Sequence, residues 1–138
     1  MMRVAGVLLA VLCAGATPAQ HPLANLVGRT IEGRVTRVAD GDTLDIVPAG
    51  ERRAIRVRLF GIDAPEQGEA FSAQARNRAR VLAFDKTVRM TGVSIDTYSR
   101  LVAKVRVGDV DLGLELLAEG LACHYRRYSD DRQQAAAE

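Results

Sequence analysis

The chain has 138 residues, enough for one domain with a single modest core and too few for several. Its formal net charge is only +2, so the overall charge does not mark a nucleic-acid-binding protein, and any attraction for phosphate must come from local clusters of arginine. The chain has no tryptophan, and its core must therefore be mainly aliphatic.

The first 20 residues have the three parts of a cleavable export signal. Arg3 supplies the positive charge, residues 4–14 form an apolar run, and small residues follow. A membrane-spanning helix needs about 20 apolar residues, and this run is shorter. We therefore predict a signal peptide at 1–20, a linker at 21–29 and one domain at 30–138. The protein would be exported to the periplasm or the medium and would not contact a membrane after cleavage.

Removal of the signal would leave Cys123 as the one cysteine of the chain. No internal disulfide could then form, so stability would depend on packing. We expect this thiol to be a small buried apolar group rather than a nucleophile.

Alternation of apolar and polar residues predicts five strands. They are expected at 31–39, 43–47, 53–61, 87–90 and 101–107. The first three follow one another through short turns, which indicates an antiparallel meander. The fourth strand is the shortest of the set.

Two helices are predicted between and after these strands. The first should begin with Ser72 as its cap and end near Phe84, with Ala75, Ala79 and Leu82 facing the core. The second should cover 112–119 and end before a glycine. The first helix also carries three arginines that either form a solvated face or contact phosphate: Arg76, Arg78 and Arg80. Periodicity alone therefore predicts a small β-rich α+β domain.

Three polar segments at strand ends carry the residue types of a metal and phosphate site. They are Asp40-Gly41-Asp42-Thr43, Arg58 to Glu66, and Asp96-Thr97-Tyr98-Ser99-Arg100. Asp42 could simply close a turn, but Asp40-Gly41 already supplies the turn residues, so the extra carboxylate favours a ligand. Alternation places Arg56 and Arg58 on the same strand face and does not separate their roles.

In order, spacing and chemistry these segments resemble the staphylococcal nuclease (thermonuclease) family, from roughly Thr30 to Tyr128. The resemblance implies an α+β fold, a five-stranded OB-fold β-barrel with two to three helices. It also implies a calcium-dependent endonuclease, active as a monomer. Its substrates would be DNA and RNA, preferentially single-stranded, cut with little sequence specificity.

The resemblance assigns a role to each residue of the site. Calcium would be held by Asp42, Asp63 and the backbone carbonyl of Ala64. Glu66 would orient or deprotonate the attacking water, and two arginines would bind the phosphoryl oxygens: Arg58 and Arg100. The substrate would also contact Tyr98, Arg126 and Tyr128.

The chain departs from the family pattern at several positions. Arg126 replaces a frequent tyrosine, and Ser99 replaces a glycine, which would strain the turn if its φ is positive. Gly113 lies inside the second helix, where glycine costs about 1 kcal/mol relative to alanine. After Tyr128 only about two turns of a third helix could form, as in a short form, a fragment or a truncated gene.

Two alternatives to the enzyme remain open from sequence. One is an OB-fold module that binds single-stranded nucleic acid without cutting it. The other is an inactive remnant, suggested by the short C-terminus. The complete polar set favours the enzyme over the binding module: Asp42, Arg58, Asp63, Glu66 and Arg100.

Overall fold

A computed structural model of the protein describes residues 19–125. In chain order its strands are β1 (Thr30–Asp40), β2 (Thr43–Pro48), β3 (Ile55–Leu59), β4 (Ile62–Asp63), β5 (Thr87–Ile95), β6 (Leu101–Val107), β7 (Val110–Asp111) and β8 (Cys123–His124). Helix α1 (Ser72–Ala83) lies between β4 and β5, and helix α2 (Leu112–Ala118) lies between β7 and β8.

Five of these strands close into a barrel. Their order is β3-β2-β1-β5-β6, and all of these neighbours are antiparallel. The ring closes because β3 also pairs with β6 in parallel, with Val57 opposite Leu101 and Arg58 opposite Val102. The predicted α+β architecture, a five-stranded OB-fold barrel, is confirmed.

The long first strand bends so that it can pair with neighbours on both sides. Its register with β2 shifts between Val35 and Arg37 and again between Val38 and Asp40, and such bulges curve a strand. Gly33 occupies a crowded point on this strand. A Cβ there would lie 2.6 Å from Ile46 Cγ2, so the barrel interior requires glycine.

The core is aliphatic, as the composition predicts. The barrel interior is filled by Val, Leu, Ile and Met side chains, and α1 covers one part of it with three fully buried alanines. These are Ala75, Ala79 and Ala83, whereas Leu82 is only partly buried. Helix α2 buries Leu112, Leu116 and Leu117.

Some predicted details are wrong. Ser72 is the first residue of α1 rather than its cap. The residue before it, Phe71, has φ 65° and makes no side-chain capping bond. The fourth barrel strand continues to Ile95, because β5 pairs with β6 along this extension. Cys123 is exposed rather than buried, since it lies on the short strand β8.

The segment before β1 packs against the barrel. Ala24–Leu26 forms one turn of 3-10 helix, and backbone bonds join Gly28 N to Gly92 O (2.8 Å) and Gly92 N to Arg29 O (3.0 Å). Between residues 19 and 125 neither helix is long and apolar enough to cross a membrane. Residues 1–18, the predicted third helix, Arg126 and Tyr128 lie outside the described residues.

Candidate active site

One cleft opens where the barrel closes between β3 and β6. Its volume is about 680 Å³ as residues 19–125 define it. The parallel pairing puts Arg58 beside Val102, and Arg100 directly precedes β6, so the two arginines reach the same opening. Six residues assigned by the resemblance line this cleft: Asp42, Arg58, Asp63, Glu66, Tyr98 and Arg100.

Asp42 and Arg58 form the buried centre of one side of the cleft. Arg58 Nη1 lies 2.9 Å from Asp42 Oδ2, and its Nη2 donates to Asp63 Oδ1 at 3.1 Å. The Asp42 carboxylate also accepts hydrogen bonds from the Ala64 N–H (2.8 Å) and the Thr43 hydroxyl (3.0 Å). These contacts join the β1–β2 turn, the end of β3 and the segment after β4 into one rigid unit.

The electrostatics of this unit favour a cation. Burial raises the pKa of Asp42 to about 6, and the Asp40 side chain adds to the rise. The Arg58 guanidinium and the Ala64 N–H oppose it by stabilising the charged form. The anionic carboxylate therefore depends on positive charge held within the cleft.

Arg100 is held by its own turn on the other side of the cleft. Asp96 Oδ1 accepts the backbone N–H groups of Tyr98 and Arg100, both at 2.9 Å. Asp96 Oδ2 accepts from Arg100 Nε at 2.6 Å. Burial raises the pKa of Asp96, but these hydrogen bonds outweigh it and the net pKa is lowered. Among residues 19–125 the guanidinium of Arg100 is hydrogen-bonded through Nε, which leaves the terminal nitrogens able to contact another group.

Ser99 adopts φ 60°, the left-handed conformation that the sequence identified as a source of strain. Its N–H donates to Asp96 O at 3.1 Å, and Asp96 N donates to Arg100 O at 3.0 Å. The turn thus places Arg100 at the cleft despite the serine, because four hydrogen bonds to Asp96 and one from it close the loop.

Glu66 and Tyr98 are, like Asp63, exposed members of the cleft. Glu66 follows the Asp63-Ala64-Pro65 segment and lines the cleft with an exposed side chain. Tyr98 is 78% exposed, and the Arg100 guanidinium lies 5.2 Å from the centre of its ring. Both side chains are accessible from solvent.

Three other arginines do not line the cleft and have partners elsewhere: Arg56, Arg78 and Arg80. Arg56, on the same face of β3 as Arg58, forms a two-point ion pair with Asp45 at 2.8 and 3.2 Å and does not line the cleft. Arg78 bridges α1 to Glu119 at 2.8 Å, and Arg80 lies over the Phe84 ring. Alternation could not separate Arg56 from Arg58, since the difference is their position relative to the barrel opening.

Sequence reasoning missed three features of the site. Asp40 lines the cleft and accepts the Asp42 N–H at 3.2 Å, although its sequence context suggested only a turn. Asp96 holds Arg100, a role that its position four residues earlier in a polar turn could have indicated. Tyr125 lines the cleft through the pairing of β4 with β8, and its N–H donates to Gly61 O at 2.7 Å.

The chemistry of the donors suits a hard divalent cation. Asp42 and Asp63 both contact one guanidinium, and Asp40 and Glu66 line the same cleft. Within the described range the cleft lining includes no histidine or cysteine, the ligands that zinc and copper prefer. No three acidic, histidine or cysteine side chains of residues 19–125 form a closed metal-binding group. A bound ion would thus complete its shell with water, backbone carbonyl and phosphate oxygens, as calcium does.

Fold and cleft together define an OB-barrel with an opening lined by carboxylates and arginines. A family model described as staphylococcal nuclease homologue matches residues 56–138. The chain belongs to this family.

Three curated relatives are similar to the chain over most of its length. An uncharacterized endonuclease of Haemophilus influenzae is 37% identical over 98 residues, 71% of this chain and 54% of that protein. A micrococcal nuclease of Shigella flexneri is 37% identical over 105 residues, covering 70% and 59%. An uncharacterized endonuclease of Escherichia coli O157:H7 is 34% identical over 102 residues, covering 73% and 65%. The match thus spans between half and two thirds of these relatives.

Proposed function

We propose that this protein is a calcium-dependent endonuclease that hydrolyses phosphodiester bonds of DNA and RNA. The observation that carries the proposal is that two arginines, Arg58 and Arg100, line one cleft together with three carboxylates: Asp42, Asp63 and Glu66. Relatives named as endonucleases and a micrococcal nuclease support the same activity.

The residues divide the chemical work between them. Water attacks phosphorus and gives its proton to Glu66, an exposed carboxylate of the cleft. The bond from phosphorus to the leaving oxygen breaks, and that oxygen takes a proton from solvent water. Arg100 binds the phosphoryl oxygens through its two terminal nitrogens, a geometry that a lysine cannot reproduce. Preorganised donors of this kind act where charge develops in the transition state.

Asp42, Asp63 and the Ala64 carbonyl would hold calcium, and the ion would supply positive charge to the phosphoryl oxygens. Arg58 occupies both carboxylates in the structure, at 2.9 and 3.1 Å. A cation that took over these carboxylates would release the guanidinium for phosphate.

The substrate would be read without base-specific contacts. The charged groups of the cleft recognise phosphate, which every strand carries, while exposed Tyr98 offers a ring to any base. An unpaired strand presents both phosphates and base faces, so we propose a preference for single strands. Export of the protein and action as a monomer are parts of the same proposal.

Digestion of plasmid DNA and of RNA with calcium, and then with a chelator, tests this function. We expect both substrates to be cut with calcium and neither with chelator. Glu66→Gln should lower the rate by about 10²–10³ with the fold intact, since it removes one preorganised catalytic group. Glu69→Gln is the matched control, because Glu69 is an exposed acid of the same loop outside the cleft lining.

Three results would contradict the proposal. Digestion that a chelator does not diminish would show that the activity does not depend on calcium. Equal rates for Glu66→Gln and Glu69→Gln would remove Glu66 from the mechanism. A folded protein that binds single strands but cuts neither substrate would instead be the non-catalytic binding module.

A further inference from the structure

Phe71 occupies an unusual place at the end of the loop that follows Glu66. Its side chain is 64% exposed, and its backbone adopts φ 65° and ψ 4°. The loop is folded back by two turns, with Glu69 N donating to Glu66 O at 2.9 Å and Ser72 N donating to Glu69 O at 3.3 Å. The conformation of Phe71 is thus fixed by the start of helix α1.

Folding does not explain a phenylalanine at this position. The left-handed region favours glycine or asparagine, and a bulky side chain there is an outlier. The ring gains little from burial, since most of it faces solvent, and it provides no capping bond to the helix. Backbone strain that burial does not offset is typical of residues retained for binding.

We infer that Phe71 is a stacking residue for a nucleobase of the strand that passes Glu66. The inference rests on the proposed function and adds a base-binding position to it. Phe71 follows Glu66 by five residues, which span at most about 17 Å when fully extended. The two turns shorten this distance, so Phe71 lies within a few nucleotide lengths of Glu66. An aromatic face accepts any base and fits an enzyme with little sequence preference.

Binding of a single-stranded oligothymidine decamer tests this directly. It is measured with calcium in a Glu66→Gln background, against an abasic decamer with the same phosphates. Phe71→Leu keeps the backbone strain and an apolar side chain but removes the ring, Phe71→Gly removes both the ring and the strain, and Phe71→Trp keeps a ring. We expect the Leu and Gly variants to bind the thymidine decamer about fivefold or more weakly, and Trp to bind as the parent does. The abasic decamer should bind all four proteins equally.

Phe84→Leu is the matched control. Phe84 is the phenylalanine at the other end of α1, about 18 Å away along the helix axis. Its ring is covered by the Arg80 guanidinium. It should leave decamer binding unchanged. Phe71→Gly should melt no lower than the parent, since glycine fits φ 65°. Parent-like decamer binding by Phe71→Leu would overturn the inference, and so would an equal loss on the abasic decamer. Either result would leave the proposed endonuclease function in place. A wild-type protein that binds the thymidine decamer normally but does not cleave DNA or RNA would overturn the endonuclease function and not the role of Phe71.

Discussion

Arg58 and Arg100 line the same cleft, but different kinds of contact hold them. Arg58 is 15% exposed and contacts Asp42 from the β1–β2 turn, a different segment of the chain, as well as Asp63 from the neighbouring strand β4. Arg100 is held by Asp96, only four residues earlier, in a turn whose hydrogen bonds are all local.

The difference predicts how each side responds to substitution. The Arg58 side is part of the closed barrel, so a change there should affect stability and activity together. The Arg100 side is a local turn beside an exposed tyrosine, so a change there should affect activity with little loss of stability. Three substitutions test this comparison, from the largest expected effect to the smallest, and a fourth, with the smallest effect, tests helix α2.

Arg58→Met should destabilise the folded protein by about 3–5 kcal/mol, because it leaves the buried Asp42 carboxylate without its cation. Denaturant unfolding in the presence of a chelator measures this without interference from bound metal. Arg56→Met is the control on the same strand face. Its ion pair with Asp45 is partly exposed and should cost less than about 1 kcal/mol. Equal losses for the two variants would show that the Arg58 contacts do not stabilise the barrel.

Arg100→Lys should lower turnover by about 10²–10³, since a lysine cannot bind two phosphoryl oxygens in a fixed plane. Its free energy of unfolding should change by less than about 1 kcal/mol, because the lost contact is a single local ion pair. Initial rates of single-stranded DNA cleavage measure the loss of turnover. Arg106→Lys is the control, a β6 arginine that donates to Asp109 O at 2.8 Å. Near-full activity of Arg100→Lys would mean that the Ser99-Arg100 turn does not act on the substrate.

Asp96→Asn separates the charge of this turn from its backbone hydrogen bonds. The amide oxygen can still accept from Tyr98 and Arg100, but the charged partner of the guanidinium is lost, at a cost of about 1.5 kcal/mol near neutral pH. The pKa of Asp96 is lowered in the fold from 3.8, so its stabilisation is complete above that pH and is lost as the pH falls through the lower folded value.

Unfolding free energies of the wild-type protein and Asp96→Asn should therefore converge as the pH falls below about 3.8. A difference that stays constant from neutral to acid pH would show that the Asp96 charge contributes nothing to the turn. Glu69→Gln, which changes an exposed acid of another loop, should show no such convergence.

Gly113→Ala should raise stability by up to about 1 kcal/mol, the helix preference of alanine over glycine. An added Cβ would lie 3.4 Å from Asp111 Oδ1 and 3.6 Å from Ile62 Cγ2, at or just beyond normal contact. Gly33→Ala is the opposite control, because its Cβ would lie 2.6 Å from Ile46 Cγ2. Thermal melts should move in opposite directions, and a lower melting temperature for Gly113→Ala would show that α2 requires the glycine.

Sequence periodicity was sufficient for the barrel strands because each buries one face, and Leu101–Val107 has the predicted bounds. It failed where non-local pairing decides the outcome. The extension of β5 to Ile95 depends on β6, and the exposure of Cys123 depends on the short pairing of β8 with β4. Neither can be read from a local pattern.

The candidate site shows the same division. The residue types of the site could be identified from three short polar segments, since their chemistry is local. Their partners could not, because the Arg58 contact with Asp42 forms only when the chain folds into the barrel. The strained Phe71 was missed because a Ser at position 72 is also a good helix cap, and no sequence pattern gives a backbone angle.

The most direct test of this account is the rate of single-stranded DNA cleavage with calcium by Arg58→Lys and Arg56→Lys. Both substitutions replace an arginine on the same face of β3, two residues apart, and only Arg58 lines the cleft. We predict a loss of about 10²–10³ for Arg58→Lys and a rate within about threefold of wild type for Arg56→Lys. Equal rates for the two variants would contradict the assignment of this cleft as the active site.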